Sequence, residues 1–123
     1  MVGGARVHAR REVKRDGLPP LAFIGELIGK GSTRICRGNT QNRWTTVEIY
    51  RTKGGRYVAK VGHFTCWQGE SDEHRAKSLA TPAEVIAYLQ EGGERLGSAS
   101  EEAVIEAAKN DASFAAVWVE TVE

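Results

Sequence analysis

Residues 43–67, RWTTVEIYRTKGGRYVAKVGHFTCW, constrain the fold more than any other part of the chain. The stretch is dense in β-branched and aromatic residues and is broken once, at Lys53-Gly54-Gly55. That pattern reads as two strands folded back on each other at a glycine-bearing turn. Its register follows from side-chain polarity. A two-residue loop, Gly54-Gly55, would set Ile49 against Lys60 and Val47 against Gly62. A three-residue loop, Lys53-Gly54-Gly55, sets Ile49 against Ala59 and Val47 against Val61. Cross-strand neighbours on a buried face match in polarity, so the second register is expected. It also puts a glycine where a type I turn with a G1 bulge requires a left-handed residue. The expected core face is Val47, Ile49, Tyr57, Ala59 and Val61. Trp44, Thr46, Glu48, Tyr50, Val58, Lys60 and Phe64 share the opposite face, which carries too much apolar surface to be left bare. An N-terminal strand, a second copy or a ligand would each cover it.

The rest of the chain reads as elements that lead into this hairpin or pack on it. Residues 1–20 lack an apolar period and are punctuated by Gly3-Gly4, Gly17 and Pro19-Pro20. They read as a basic arm or as an edge strand over residues 7–13 that ends in a turn at Arg15-Asp16-Gly17. Residues 21–28, LAFIGELI, are a short apolar run between Pro-Pro and Gly-Lys-Gly-Ser, which favours a strand. Residues 29–42 are polar and glycine-rich and read as a loop or as two strand ends around one, and residues 68–80 as a charged connection with room for a helical turn. A helix then starts at Thr81, with Pro82 at its first position and Glu84 completing a capping box. Val85, Ile86, Tyr88 and Leu89 form its apolar stripe, and Gly92-Gly93 stop it. A second box, Ser98-x-x-Glu101, opens a helix with Val104, Ile105, Ala107 and Ala108 on one side. The pattern breaks at Asn110-Asp111, and the spacing of Phe114, Val117 and Trp118 favours a further helical segment. Strands grouped before helices indicate an α+β domain over residues 21–123. Its small antiparallel sheet of three to five strands would be followed by two or three C-terminal helices packed on one face.

Several residue sets have the side-chain types of a chemical site. The run Gly25 to Ser32, GELIGKGS, has the residue types of a phosphate-binding loop but the wrong spacing. That motif needs four residues between its glycines and Lys followed directly by Ser or Thr. His63 and Cys66, with Cys36 and His74 elsewhere, are zinc ligand types. Only one close pair exists, and opposite strand parity points its members to different faces. Cys66 with His63 or His74 would supply a thiol and a base, and Glu70, Asp72 and Glu73 would supply acids, but no orienting group accompanies either set. No metal, cofactor or catalytic residue is assigned, and the chain leans away from being an enzyme. The basic and aromatic residues of the hairpin and its tip are the candidate binding set: Arg43, Trp44, Tyr50, Arg51, Lys53, Arg56, Lys60 and Phe64. Such a combination on a sheet binds single-stranded nucleic acid by stacking and phosphate contact; charges at a hairpin tip also protect an edge from aggregation.

The net charge of +1 gives no global pull towards nucleic acid or membrane, but the charge is divided. Residues 17–82 carry ten Lys or Arg against five acids, and residues 83–123 carry two against nine. No apolar run is long enough to span a bilayer, and no secretory signal opens the chain. A cytoplasmic protein with free thiols is the expectation.

The pattern of Phe23-Ile24-Gly25, Tyr50-x-Thr52-x-Gly54-Gly55-Arg56-Tyr57-Val58, Trp67 and Thr81-Pro82-x-Glu84 resembles small bacterial proteins of the EXLDI type. The likeness covers residues 21–123. It departs in the tail, Val119-Glu120-Thr121-Val122-Glu123, which lacks the namesake signature, and in the absence of the ribbon-helix-helix-like N-terminal segment of some relatives. The resemblance implies a bacterial or mobile-element origin and an α+β fold, and it transfers no catalytic residue. The functional expectation is therefore a non-enzymatic protein-binding or regulatory module. It would self-associate as a homodimer through the aromatic hairpin face or residues 114–119. Nucleic-acid binding by the hairpin, or a small enzyme using Cys66 or residues 70–74, are the alternatives.

Overall fold

The structure is a computed structural model that describes residues 8–34 and 42–122. Five strands, β1 (Ala9–Arg15), β2 (Leu18–Ser32), β3 (Arg43–Thr52), β4 (Tyr57–Thr65) and β5 (Glu73–Leu79), are followed by helices α1 (Pro82–Gln90), α2 (Ser98–Asn110) and α3 (Ala112–Val117). The strands form one antiparallel sheet in sequence order, so this is an α+β fold.

The β3–β4 hairpin has the register that polarity matching required. Val47 pairs with Val61 and Ile49 with Ala59. The Gly55 N–H donates to the Thr52 carbonyl (2.9 Å) and the Thr52 N–H to the Arg56 carbonyl (2.8 Å). Gly55 has φ +87°, the left-handed conformation that glycine adopts without strain. Val47, Ile49, Tyr57, Ala59 and Val61 all lie in the main core, with Ile28, Val85, Leu89, Val104 and Phe114.

Three stretches differ from their sequence reading. The limit drawn at residue 20 falls inside β2, which begins at Leu18 and pairs with β1. Pro19 and Pro20 lie at the register shift of the β1–β2 pairing and before β3 pairing begins at Gly25, positions where a sheet tolerates proline. Residues 1–7 lie outside the described residues. The strand read over residues 21–28 runs on through Gly29, Lys30 and Gly31 to Ser32. Residues 73–79, read as a charged connection, are β5, pairing with β4 from Tyr57 to His63. Glu73, His74, Arg75 and Lys77 lack β propensity, yet charged side chains suit an edge strand.

The glycines that disguised the end of β2 as a loop are a seat for α2. A Cβ on Gly29 would lie 2.1 Å from the Ala103 carbonyl oxygen, and one on Gly31 would lie 1.9 Å from that of Ala99. Ala99, Ala103 and Ala107 recur every fourth residue, so a stripe of small side chains sits directly on the strand backbone. The neighbouring stripe of α2 finishes the strand edge. Glu106 accepts from the Lys30 N–H (2.7 Å), Glu102 accepts from the Ser32 N–H (2.8 Å), and Asn110 Nδ2 donates to the Ile28 carbonyl (2.9 Å). An exposed sheet edge is thereby satisfied by side chains.

The helix ends follow local chemistry. At α1 the Glu84 N–H donates to Thr81 Oγ1 (3.2 Å), and Pro82 occupies the first turn. At α2 the expected box does not form: Gly97 is the N-cap, Ser98 is already helical, and no side chain caps the end. Ile105, placed on the inner stripe from sequence, is exposed, while Ala99 and Ala103 are buried. Asp111 separates α2 from α3. It is buried, accepts from the Ser113 N–H (2.8 Å) and Phe114 N–H (3.3 Å), and receives the Tyr57 hydroxyl (2.9 Å).

The sheet is curled. Register shifts between Val13 and Arg15 and between Leu27 and Gly29 mark bulges, which bend a strand and increase its twist. The curl brings the turn after β1 to β5, where the Asp16 N–H donates to the His74 carbonyl (2.9 Å) and Asp16 Oδ2 accepts from the His74 N–H (2.7 Å). Val13, Tyr50, Val58 and Ala76 meet inside the curl, with Leu21, Phe23 and Leu27 against them, as a second core.

Candidate binding face

The inner face of the curl is the hairpin face whose apolar surplus asked for a cover. Half of it is closed by the chain itself. Tyr50 and Val58 are 6% and 1% exposed, because β1 and the first half of β2 fold over them. Arg11 lies over the Tyr50 ring, 4.9 Å from its centroid, and Phe23 meets the ring edge-on at 5.3 Å. Burial first, and the neighbouring Glu48 carboxylate second, push the Tyr50 hydroxyl up to about 12. Tyr50 is therefore a core residue, which corrects its place in the candidate binding set.

Among the described residues β1 pairs β2 only as far as Gly25. Beyond that point the inner face has no described strand across it and presents Lys30 and Ser32 of β2, Trp44, Thr46 and Glu48 of β3, Lys60 and Phe64 of β4, and His74 of β5. Trp44 and Phe64 are a directly paired couple, stacked with centroids 5.7 Å apart and planes 17° from parallel. Both are half-buried. The Arg34 guanidinium lies 4.0 Å from the Trp44 ring centroid. Phe64 folds back over Gly62, where a Cβ would come within 2.6 Å of the ring, and its ring meets His74 edge-on at 5.6 Å. His74 Nδ1 is buried and has no hydrogen-bond partner. Deeper in, Glu48 lies between Lys60 (3.4 Å) and Lys30 (4.0 Å), and the Ser32 and Thr46 hydroxyls are 3.4 Å apart.

The remaining candidates lie outside this open half. Arg43 and Arg51 have the strand parity of the main-core face, opposite to Trp44 and Tyr50. Arg51 pairs with the buried Asp111 at 3.7 Å. Arg43 is bound by both carboxylate oxygens of Glu70, at 3.1 and 2.5 Å. The hydrogen bond to Glu70 raises the pKa of Arg43, and the hydrogen bonds from Arg43 and then Thr65 lower that of Glu70. Arg56 Nε donates to Ser78 Oγ (3.2 Å), and Lys53 is exposed at the turn. The hairpin set is thus divided: Trp44, Lys60 and Phe64 come together, and the other members do not join them. Sequence reading does not place Lys30, Ser32, Arg34 or His74 on this face: Lys30, Ser32 and His74 figure only in the phosphate-loop, metal and thiol sets, and their segments have no assigned strand parity.

A cleft of about 530 Å³ lies at the strand ends, where Trp44 and Phe64 meet Arg43, Thr45, His63, Thr65 and Glu73 of the opposite strand parity, with Glu70 beside them. His63 Nδ1 and Thr45 Oγ1 share a hydrogen bond of 2.9 Å there. Cys66 is exposed, and neither it nor His74 lines this cleft. Cys36 lies outside the described residues. Among the described residues no group of three or more His, Cys, Asp or Glu is placed to hold a metal ion, and no helix is long and apolar enough to cross a membrane.

A second exposed feature follows α3. Phe114 is fully buried and meets Tyr57 edge-on, but Val117, Trp118, Val119 and Val122 are 42%, 36%, 66% and 81% exposed. Comparison with protein-family models, curated proteins and solved structures returns no match.

Proposed function

We propose that the protein is a non-enzymatic binding module that self-associates, two copies meeting through residues 117–122. In this reading the three helices pack on one face of the sheet and carry the contact segment at their end. The observation behind it is the exposure of four apolar side chains within six residues, next to a fully buried anchor at Phe114. The aromatic hairpin face, the other expected contact, has lost much of its apolar claim because Tyr50 and Val58 are buried within the chain. A second copy carries the same apolar segment, and contact between identical patches is the commonest route to a closed dimer. The likeness to EXLDI-type proteins is compatible with such a module and supplies no ligand. The same reading keeps the chain in the cytoplasm, with Cys66 as a free thiol.

Size-exclusion chromatography with light scattering tests it. The wild type is expected at the mass of two chains, and Trp118→Ser with Val119→Ser at the mass of one, with unchanged circular dichroism. A wild-type monomer at every concentration would remove the proposal.

A further inference from the structure

The open half of the inner face is a different kind of surface from the C-terminal segment. It is not a contiguous apolar patch. Its two rings are half-buried and held flat, one against Gly62 and the other under Arg34. Around them stand the cations Lys30, Arg34 and Lys60 and the acid Glu48, with Glu70, held by Arg43, and Glu73 in the cleft at the strand ends. Two hydroxyls and the unpartnered His74 Nδ1 add polar groups at the same level. Of the acids of the helical half, Glu102 and Glu106 of α2 cap the β2 edge beside Lys30. Flat π-surfaces among cations and hydrogen-bonding side chains suit a ligand that alternates aromatic planes with negative charges.

We propose that this open half binds single-stranded nucleic acid, with bases stacking on the Trp44–Phe64 platform and Lys30, Arg34 and Lys60 meeting the phosphates. Bases stack on aromatic side chains and on guanidinium planes alike, so Arg34 over Trp44 extends the platform instead of closing it. Lys30 and Lys60 are loosely paired with Glu48, at 4.0 and 3.4 Å, and are free to turn towards a phosphate. Arg43 and Arg51 are engaged with Glu70 and Asp111, so the cations that matter are not those the hairpin sequence alone would nominate. A duplex keeps its bases stacked inside and offers none to a flat sheet surface, which selects for single strands.

The test is fluorescence anisotropy of a labelled oligothymidylate titrated with the full chain, against the same length of duplex, over a series of salt concentrations. Wild type is expected to bind the single strand in preference to the duplex, with log affinity falling linearly against log salt by about 0.7 per phosphate contacted. Trp44→Ala is expected to weaken binding by about five- to 150-fold at all salts while leaving the slope unchanged. Lys60→Gln is expected to flatten the slope by about 0.7. Trp118→Ser, distant in sequence from the platform, is expected to bind as wild type, which separates this proposal from self-association. Three results would overturn it: no anisotropy change at low salt, equal binding of the duplex, or wild-type affinity in a folded Trp44→Ala.

Discussion

Tyr50 and Trp44 lie on the same strand, point to the same side of the sheet and differ in everything else. Tyr50 is 6% exposed, under Arg11 and against Phe23, with its hydroxyl driven to about 12. Trp44 is half-buried, stacked on Phe64, with an arginine over its ring. What separates them is the reach of β1. Among the described residues that strand pairs with β2 from Ala9 opposite Gly25 onward, so one end of the inner face becomes core and the other has no described strand over it. Residue type does not decide which aromatic is structural. The length of a neighbouring strand does.

The contrast is sharpest in stability. Tyr50→Ala is expected to cost about 3–5 kcal/mol, as for other buried aromatics, whereas Trp44→Ala is expected to cost about 1 kcal/mol, the scale of a half-buried ring. Urea midpoints at constant slope give both numbers, and equal costs would abolish the division of the face. Next comes the rigidity of the open half, which rests on the helix behind it. Gly31→Ala pushes a Cβ to within 1.9 Å of the Ala99 carbonyl oxygen, and the overpacking is expected to cost about 1–3 kcal/mol. Hydrogen exchange is expected to quicken around Lys30 and Ser32 and to stay slow at Val13 and Val58. Quickening at all four would mean that the two halves open as one unit.

A smaller effect reads the closed half through pH. The folded protein favours the neutral Tyr50 hydroxyl, so its contribution is complete below the ordinary tyrosine value of about 10. It is lost as pH rises from there towards 12. Tyr50→Phe is expected to make stability fall less steeply across that window. The same dependence in Tyr50→Phe as in wild type would place the titrating group elsewhere.

The hairpin was legible because its constraints are local. Polarity matching across Val47/Val61 and Ile49/Ala59, together with a glycine at the turn, leaves one register. The α1 cap at Thr81, Pro82 and Glu84 is local in the same sense. β5 was not legible, since Glu73, His74, Arg75 and Lys77 give an edge strand the composition of a loop. Nor was the end of β2. Gly29 and Gly31 look like loop residues until α2, some seventy positions later (Ser32 to Glu102 spans 70), is seen resting on them. The platform was half legible. Trp44, Lys60 and Phe64 follow from strand parity, but Lys30 and Arg34 join them only through a bulge and a loop path that no short-range pattern encodes.

The most direct test of a face divided into core and platform is a ¹H–¹⁵N correlation spectrum of the full chain titrated with a single-stranded oligothymidylate. Amide shifts are expected at Lys30, Ser32, Trp44, Thr46, Lys60, Phe64 and His74, while Val13, Tyr50, Val58 and Ala76 stay in place. Shifts centred on the second group, or none at all, would contradict the account.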